Sequence, residues 1–166
     1  MTRPTIESMC PFFIVSGVEQ SIAFYRERLG FEAQFKEPDE EPFFGIVGRD
    51  GAMLFLKSGE AAPLPNPRRD PAMRWDAYCY SPDPDALAAD FAERGAAFSN
   101  PLKNTSDGLR GFEITDPDGY VLFFGRPRSR VEMEASSAVV VTPATFPRWI
   151  RTERELEESR LDKGGK

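Results

Sequence analysis

The sequence contains no histidine among its 166 residues. Histidine is the commonest protein ligand for zinc and the commonest general base near neutral pH. Its absence excludes Ser-His-Asp and Cys-His catalytic arrangements. It also removes the usual ligand from any site for zinc, nickel or iron. We therefore expect a protein without a metal or another cofactor.

Cysteines and long apolar runs are also scarce. Two cysteines, Cys10 and Cys79, make no disulfide framework and are expected to be reduced. No apolar run approaches the roughly 18 residues of a membrane-spanning helix, and the first ten residues lack the apolar region of a signal peptide. The net charge of -6 disfavours nucleic acid and anionic membranes as partners. These features predict a cytoplasmic protein that binds neither nucleic acid nor a membrane.

The chain repeats itself. The stretches "GRDGAMLFLKSG" (48–59) and "DPDGYVLFFGRP" (116–127) each place an Asp-Gly turn before a β-prone run. Each is preceded by a strand, a helix that ends at a glycine, and two further strands. The two helix-ending glycines, Gly30 and Gly95, are 65 residues apart, and the two Asp-Gly turns are 68 apart. A near-constant offset predicts an α+β fold built from two βαβββ modules.

We divide the chain accordingly. One domain, residues 8–127, contains module one (8–58), a linker (59–74) and module two (75–127). The linker contains four prolines and is expected to be extended, so the modules could pair within one chain or across two. Residues 128–166 form an extension, with a strand expected in 136–147 and a helix in 148–161. This extension is either a surface appendage or a dimer contact or lid.

The repeated motifs resemble the vicinal oxygen chelate superfamily of glyoxalases, bleomycin-resistance proteins and extradiol dioxygenases. The matching stretches are "IVSGVEQSIAFYRERLGFE" (14–32), "WDAYCYSPDPDALAADFAERGAAF" (75–98) and "RGFEITDPDGYVLFFG" (110–125). The resemblance is closest to the metal-free bleomycin-resistance-like members. It implies that each module curls its mixed sheet into half of a U-shaped cavity, with the helices on the outer face. It also implies a homodimer in which both chains contribute to each cavity; the alternative is a monomer that closes its two modules on each other.

The same resemblance locates the metal ligands of the metal-dependent members, which are mostly histidine and glutamate on the first and last strands of each module. The corresponding residues here are Cys10, Phe55, Asp76 and Phe123. A phenyl ring cannot coordinate a cation. Cysteine and aspartate alone leave two ligands of mismatched softness, where three or four are usual. We expect no catalytic metal, which disfavours glyoxalase I and dioxygenase chemistry.

Strand alternation from these positions assigns one face of each sheet to the cavity. The predicted ligand-binding residues on that face are Phe12, Phe55, Lys57, Asp76, Tyr78, Tyr80 and Phe123. The opposite face carries apolar residues such as Phe13, Leu54 and Leu122, which suit packing under the helices. Aromatic rings with a few polar groups are typical of a small-molecule pocket. The alternative interpretation is that the rings fill a core.

The favoured function is a metal-independent small-molecule-binding protein that sequesters an aromatic or cationic compound, such as an antibiotic. The alternative is a lyase, isomerase or dioxygenase-like enzyme of the same superfamily. Such an enzyme would use Asp76 or Glu113 as its catalytic base, or hold a metal through other ligands. A third possibility is a structural or regulatory protein with a filled core. Cys10 is expected to be an inert thiol, because no histidine is present to activate it.

Overall fold

The computed structural model describes residue 4 and residues 6–136, the side chains of residues 134–136 excepted. The strand and the helix predicted in the C-terminal extension lie outside the described residues. No helix within the described part of the chain is long and apolar enough to cross a membrane.

The predicted βαβββ order occurs twice. Module one contains β1 (Phe12–Ile14), α1 (Val18–Leu29), β2 (Glu32–Glu37), β3 (Phe44–Arg49) and β4 (Ala52–Lys57). Module two contains β5 (Ala77–Tyr80), α3 (Pro84–Glu93), β6 (Phe98–Asn104), β7 (Leu109–Thr115) and β8 (Val121–Pro127). A short helix, α4 (Arg130–Ser136), follows module two.

The linker was predicted to be extended, but part of it is helical. It contains a one-turn helix, α2 (Asn66–Arg69), with a proline in its first turn. Proline suits this position because its fixed φ matches the helix and its missing N–H would have no partner there. The prolines therefore help to begin a turn of helix as well as to stiffen the linker.

Each module forms its own four-stranded mixed sheet. The strand orders are β1-β4-β3-β2 and β5-β8-β7-β6, so the two sheets have the same topology. In each sheet the first strand pairs in parallel with the last, and the remaining neighbours are antiparallel. The α+β class and the paired modules are thus confirmed.

The helix termini follow the glycine signals. Gly30 adopts a left-handed conformation with φ of 67° after α1, and its N–H bonds the carbonyl of Arg26. Gly95 has φ of 73° just after α3. At the start of α3 the side chain of Asp83 accepts the N–H of Ala86 at 3.0 Å. These contacts satisfy backbone groups that a helix end leaves without partners.

The helix-facing sides of both sheets contribute to one hydrophobic core. Phe13, Leu56 and Leu122 are at most 5% exposed, as the strand alternation predicted. Residues from α1, from α3 and from both sheets form this single cluster. The opposite faces of the two sheets therefore lie on the sides away from the shared core.

Two matching contacts join the modules, and we call them the two clasps. The hydroxyl of Tyr25 on α1 donates to the carboxylate of Asp116 at the β7–β8 turn, at 2.9 Å. Asp90 on α3 pairs with Arg49 at the β3–β4 turn, at 2.7 Å. Tyr25 and Asp90 are related by the 65-residue offset of the helices. Each module thus reaches from its last turn to the helix of the other.

The Asp-Pro-Asp-Gly turn strengthens the first clasp. One oxygen of Asp116 accepts the backbone N–H groups of Asp118 and Tyr120, both at 2.9 Å. The carboxylate of Asp118 accepts the N–H and the hydroxyl of Ser16 in module one. Burial raises the pKa of Asp116 to about 6, although the hydrogen bonds to its carboxylate act in the opposite direction. This turn is therefore a joint between the modules.

Candidate functional site

Module one presents four phenylalanine rings on the side of its sheet that faces away from the core. We call these residues, Phe12, Phe35, Phe44 and Phe55, the aromatic face. Neighbouring ring centroids in this group are 5.9 to 6.0 Å apart. Phe12 is 53% exposed and Phe35 is 46% exposed. Exposed aromatic clusters are uncommon on soluble domains and often mark a surface that binds something.

Lys57 lies at one end of the aromatic face. It is exposed, and it is the cross-strand partner of Phe44 in the β3–β4 register. Met53 lies two residues before Phe55 on β4, on the same side of the strand, and is also exposed. The face is therefore apolar at its centre, with a cationic group at its edge.

Module two presents a different arrangement on the equivalent face. The indole of Trp75 stacks on the ring of Phe123 with centroids 4.4 Å apart, and Tyr78 lies 5.3 Å from Phe123. Phe123 is only 1% exposed. We call Trp75, Tyr78 and Phe123 the aromatic stack. An incoming molecule would meet the partly exposed Trp75 and Tyr78 before it met Phe123.

Two glycines explain why the ring of Phe123 lies so close to its sheet. A Cβ atom added at Gly111 or at Gly125 would collide with the ring of Phe123 and with a neighbouring backbone carbonyl. These glycines are cross-strand partners on β7 and β8. The absence of side chains at both positions creates the space that the phenyl ring fills.

Polar side chains surround Trp75. Its Nε1–H donates to Glu113 at 2.8 Å. The guanidinium carbon of Arg74 lies 4.6 Å from the centroid of the indole, within the range of a cation–π contact. Arg74 also pairs with Asp107 at 3.1 Å and with Glu113 at 3.6 Å. The structure therefore brings Glu113, a candidate base from the sequence, to the edge of the stack, where it holds the indole.

Tyr78 remains a neutral phenol at physiological pH. Burial, followed by the nearby Tyr80 and Asp107, raises its pKa to about 12. Its hydroxyl lies 3.4 Å from the carbonyl of Gly125. Tyr80 is 67% exposed at the end of β5.

Asp76, the other candidate base, binds the protein backbone. One carboxylate oxygen accepts the N–H of Asn66 at 2.6 Å, and the other accepts the N–H of Val121 at 2.8 Å. Arg74, two residues before Asp76, pairs instead with Asp107 and Glu113. Asp76 thus ties the linker helix to the start of β8.

The four metal-equivalent positions do not fit a divalent cation. Phe55 and Phe123 place rings there, and Asp76 has both oxygens engaged by backbone donors. Cys10 is a free, partly buried thiol. Among the described residues, no three His, Cys, Asp or Glu side chains are grouped so that they could hold a metal ion.

The sequence had pointed to residues on the first and last strands of each module, whereas several important side chains lie elsewhere. Trp75 lies just before β5, Phe44 is on β3, and Asp107 is in the β6–β7 turn. The sequence did contain one signal of the aromatic stack, namely the glycines within β7 and β8. A glycine inside a strand often marks the close approach of another group.

Comparison with known proteins assigns the family. The model of the Glyoxalase/Bleomycin resistance protein/Dioxygenase superfamily matches residues 9–124. The chain therefore belongs to this superfamily, as the resemblance of its motifs implied. No curated protein matches the sequence.

Solved structures of the same fold include proteins that bind antibiotics. TnmS3, an antibiotic binding protein from Streptomyces sp. CB03234, is 25% identical, with a TM-score of 0.53 over 76% of this chain and 98% of that one. A glyoxalase/bleomycin resistance protein from the same organism is 26% identical, with a TM-score of 0.54 over 72% and 100%. The bleomycin-binding protein of Streptomyces verticillus, complexed with copper(II)-bleomycin, is 24% identical, with a TM-score of 0.54 over 78% and 100%.

Proposed function

We propose that this protein is a metal-independent binding protein for an aromatic compound of the antibiotic type. The observation that carries this proposal is the aromatic face of module one, where Phe12 and Phe35 are exposed and Phe44 and Phe55 are partly exposed in the single chain. Planar ligands gain both apolar burial and ring contacts on such a surface. The antibiotic-binding relative TnmS3 supports the same class of ligand.

We further propose that the complete site forms between two chains. The aromatic face and the aromatic stack both lie on the sides of their sheets away from the shared core. A homodimer that sets the face of one chain against the stack of the other would enclose a ligand between aromatic surfaces. The expected assembly has twice the 18.6 kDa mass of one chain in light scattering. Both cysteines are free thiols, which agrees with a reducing, cytoplasmic location.

The test is a calorimetric titration of the full-length chain with bleomycin and with planar aromatic antibiotics, before and after treatment with a chelator. We expect one ligand per site and an affinity that the chelator does not change. Binding that disappears on chelation and returns with a metal ion would overturn metal independence. The absence of binding to every compound would overturn the function itself.

A matched pair of variants locates the site. Phe12 and Phe43 are equally exposed, at 53% and 52%, but only Phe12 belongs to the aromatic face. We expect Phe12→Ser to weaken binding about tenfold or more, because a ring that contacts the ligand is lost. Phe43→Ser removes the same amount of exposed ring elsewhere and should leave the affinity unchanged. Equal affinities for the two variants would place the site away from the aromatic face.

A further inference from the structure

Arg74 makes three contacts at once with the aromatic stack and its surroundings. Its guanidinium carbon lies 4.6 Å from the centroid of the Trp75 ring. The same group is 3.1 Å from Asp107 and 3.6 Å from Glu113. A cation over an aromatic ring, bonded to carboxylates at the edge of that ring, is the set of contacts that a bound planar cation would make.

The ring beneath Arg74 is held in place by other residues. Trp75 donates its Nε1–H to Glu113 at 2.8 Å and stacks on the buried ring of Phe123. The side chain of Arg74 is 47% exposed, whereas that of Glu113 is 15% exposed. Arg74 can therefore leave the indole while the indole keeps its position. The surface beneath it is a preformed platform.

Two carboxylates share one cation beside the platform. Among the residues that the structure describes, Asp107 and Glu113 form ion pairs with Arg74 alone. One oxygen of Asp107 is buried and accepts no hydrogen bond from any described residue. A desolvated carboxylate oxygen without a donor is costly, so a ligand N–H group at this point would be favoured.

We propose that Arg74 is an internal competitor for a cation subsite of this protein. In the absence of ligand, its guanidinium covers Trp75 and partly neutralises Asp107 and Glu113. A planar aromatic cation with N–H donors displaces Arg74, stacks on the indole and takes over the two carboxylates. This inference rests on the proposed small-molecule site and adds the charge of the ligand that the site selects.

The experiment compares Arg74→Ala with Arg68→Ala, which removes the same charge from an exposed position in the same linker. The probes are 9-aminoacridine, which is cationic at neutral pH, and acridine, the corresponding ring that is uncharged in mildly alkaline buffer. Dissociation constants are measured by fluorescence titration of the full-length chain. Asp107→Asn is added to the Arg74→Ala variant to remove one carboxylate without disturbing the bond that holds Trp75.

We expect Arg74→Ala to tighten 9-aminoacridine about tenfold, because a cation–π contact and a partly exposed ion pair are each worth several-fold in an equilibrium constant. The dissociation constant of acridine should fall about threefold or less. Arg68→Ala should change the dissociation constant of neither probe. In the double variant, the added preference for the cation should become smaller, because one of the two carboxylates is gone.

Four results would overturn the inference. Equal tightening of both probes would mean that Arg74 covers the ring without selecting charge. Weaker binding of the cation to Arg74→Ala would mean that Arg74 holds the ligand. Failure of both probes to bind, while bleomycin or another aromatic antibiotic binds, would remove the cation subsite and leave the proposed function standing. If none of these compounds binds, the proposed function fails and the inference fails with it.

Discussion

Phe55 in module one and Phe123 in module two occupy the same position in the repeat, at the centre of the last strand of each sheet. Phe55 is partly exposed and contacts Phe12 and Phe44, whereas Phe123 is buried beneath Trp75. Cross-strand neighbours account for the difference. Module one has Phe44 opposite Lys57, where module two has Gly111 opposite Gly125.

This comparison shows how one architecture produces two kinds of surface. Side chains at the flanking positions in module one occupy the surface around Phe55, so several rings stand side by side and face solvent. Glycines at those positions in module two let one ring lie against the backbone, and a second ring, the indole, covers it. A repeated fold can thus provide an open aromatic surface and a layered one through differences at the two flanking positions and at the residue that covers the ring.

The largest expected effect comes from placing a charge at these two equivalent positions. Phe123→Glu should lower the free energy of unfolding by at least about 4 kcal/mol, because it buries an unpaired carboxylate. Phe55→Glu should cost only about 1–2 kcal/mol, because its carboxylate can reach water. Chemical denaturation at one protein concentration measures both, with Phe123→Leu and Phe55→Leu as controls for the lost ring. Similar losses for the two glutamate variants would contradict the difference in burial.

Filling the glycine space should have the next largest effect. Gly111→Ala should destabilise the protein by about 3 kcal/mol, because its Cβ would overlap the ring of Phe123 and the carbonyl of Phe124. Gly51→Ala is the control, since no atom lies within 4 Å of the added methyl group, and its effect should stay within about 0.5 kcal/mol. Thermal or urea denaturation would decide the matter, and a fully stable Gly111→Ala variant would refute the role assigned to this glycine.

The smallest effect concerns the two clasps, which should respond to pH in opposite directions. The pKa of Asp116 is raised to about 6 in the folded protein, so binding of a proton to this carboxylate stabilises the fold. This contribution to the free energy of unfolding is lost as the pH rises through about 6. Relative to Asp116→Asn, the wild type should lose about 2 kcal/mol of stability between about pH 4.5 and about pH 7. The groups facing this carboxylate are Tyr25 and Asp118, with two backbone N–H groups.

Asp90 supplies the matched control. Burial alone would raise its pKa, but Arg49 and Arg94 hold the pKa below the usual range. The ionised carboxylate of Asp90 therefore adds to the free energy of unfolding at neutral pH, and this contribution is lost as the pH falls through the lowered pKa. We expect urea denaturation to show that the wild type remains more stable than Asp90→Asn across the same pH range. The difference in their free energies of unfolding should not become smaller as the pH rises. Parallel pH profiles for the two variants would contradict the assigned environments.

The repeat, the helix ends and the helix-facing sides of the sheets could be predicted because they depend on local patterns. Gly30 and Gly95 end their helices through backbone freedom alone, and alternation along β4 separates buried residues from more exposed ones. The environment of Phe123 could not be predicted in this way. It depends on Gly111 in the neighbouring strand and on Trp75, which precedes another strand. Asp76 was expected in the first strand of module two, but it lies just before β5, and the backbone groups that it binds come from the linker and β8.

The two clasps also determine which modules can be combined. Module one contributes Tyr25 and Arg49, and module two contributes Asp90 and Asp116, so each contact needs one member from each module. A tandem of two copies of module two would set Asp90 against Asp116, two carboxylates at the distance of an ion pair. A tandem of two copies of module one would set a tyrosine against an arginine without an acid between them. The two halves share one topology, but they are complementary parts that cannot be interchanged. A chimera of this protein should therefore exchange a helix together with the turn that contacts it.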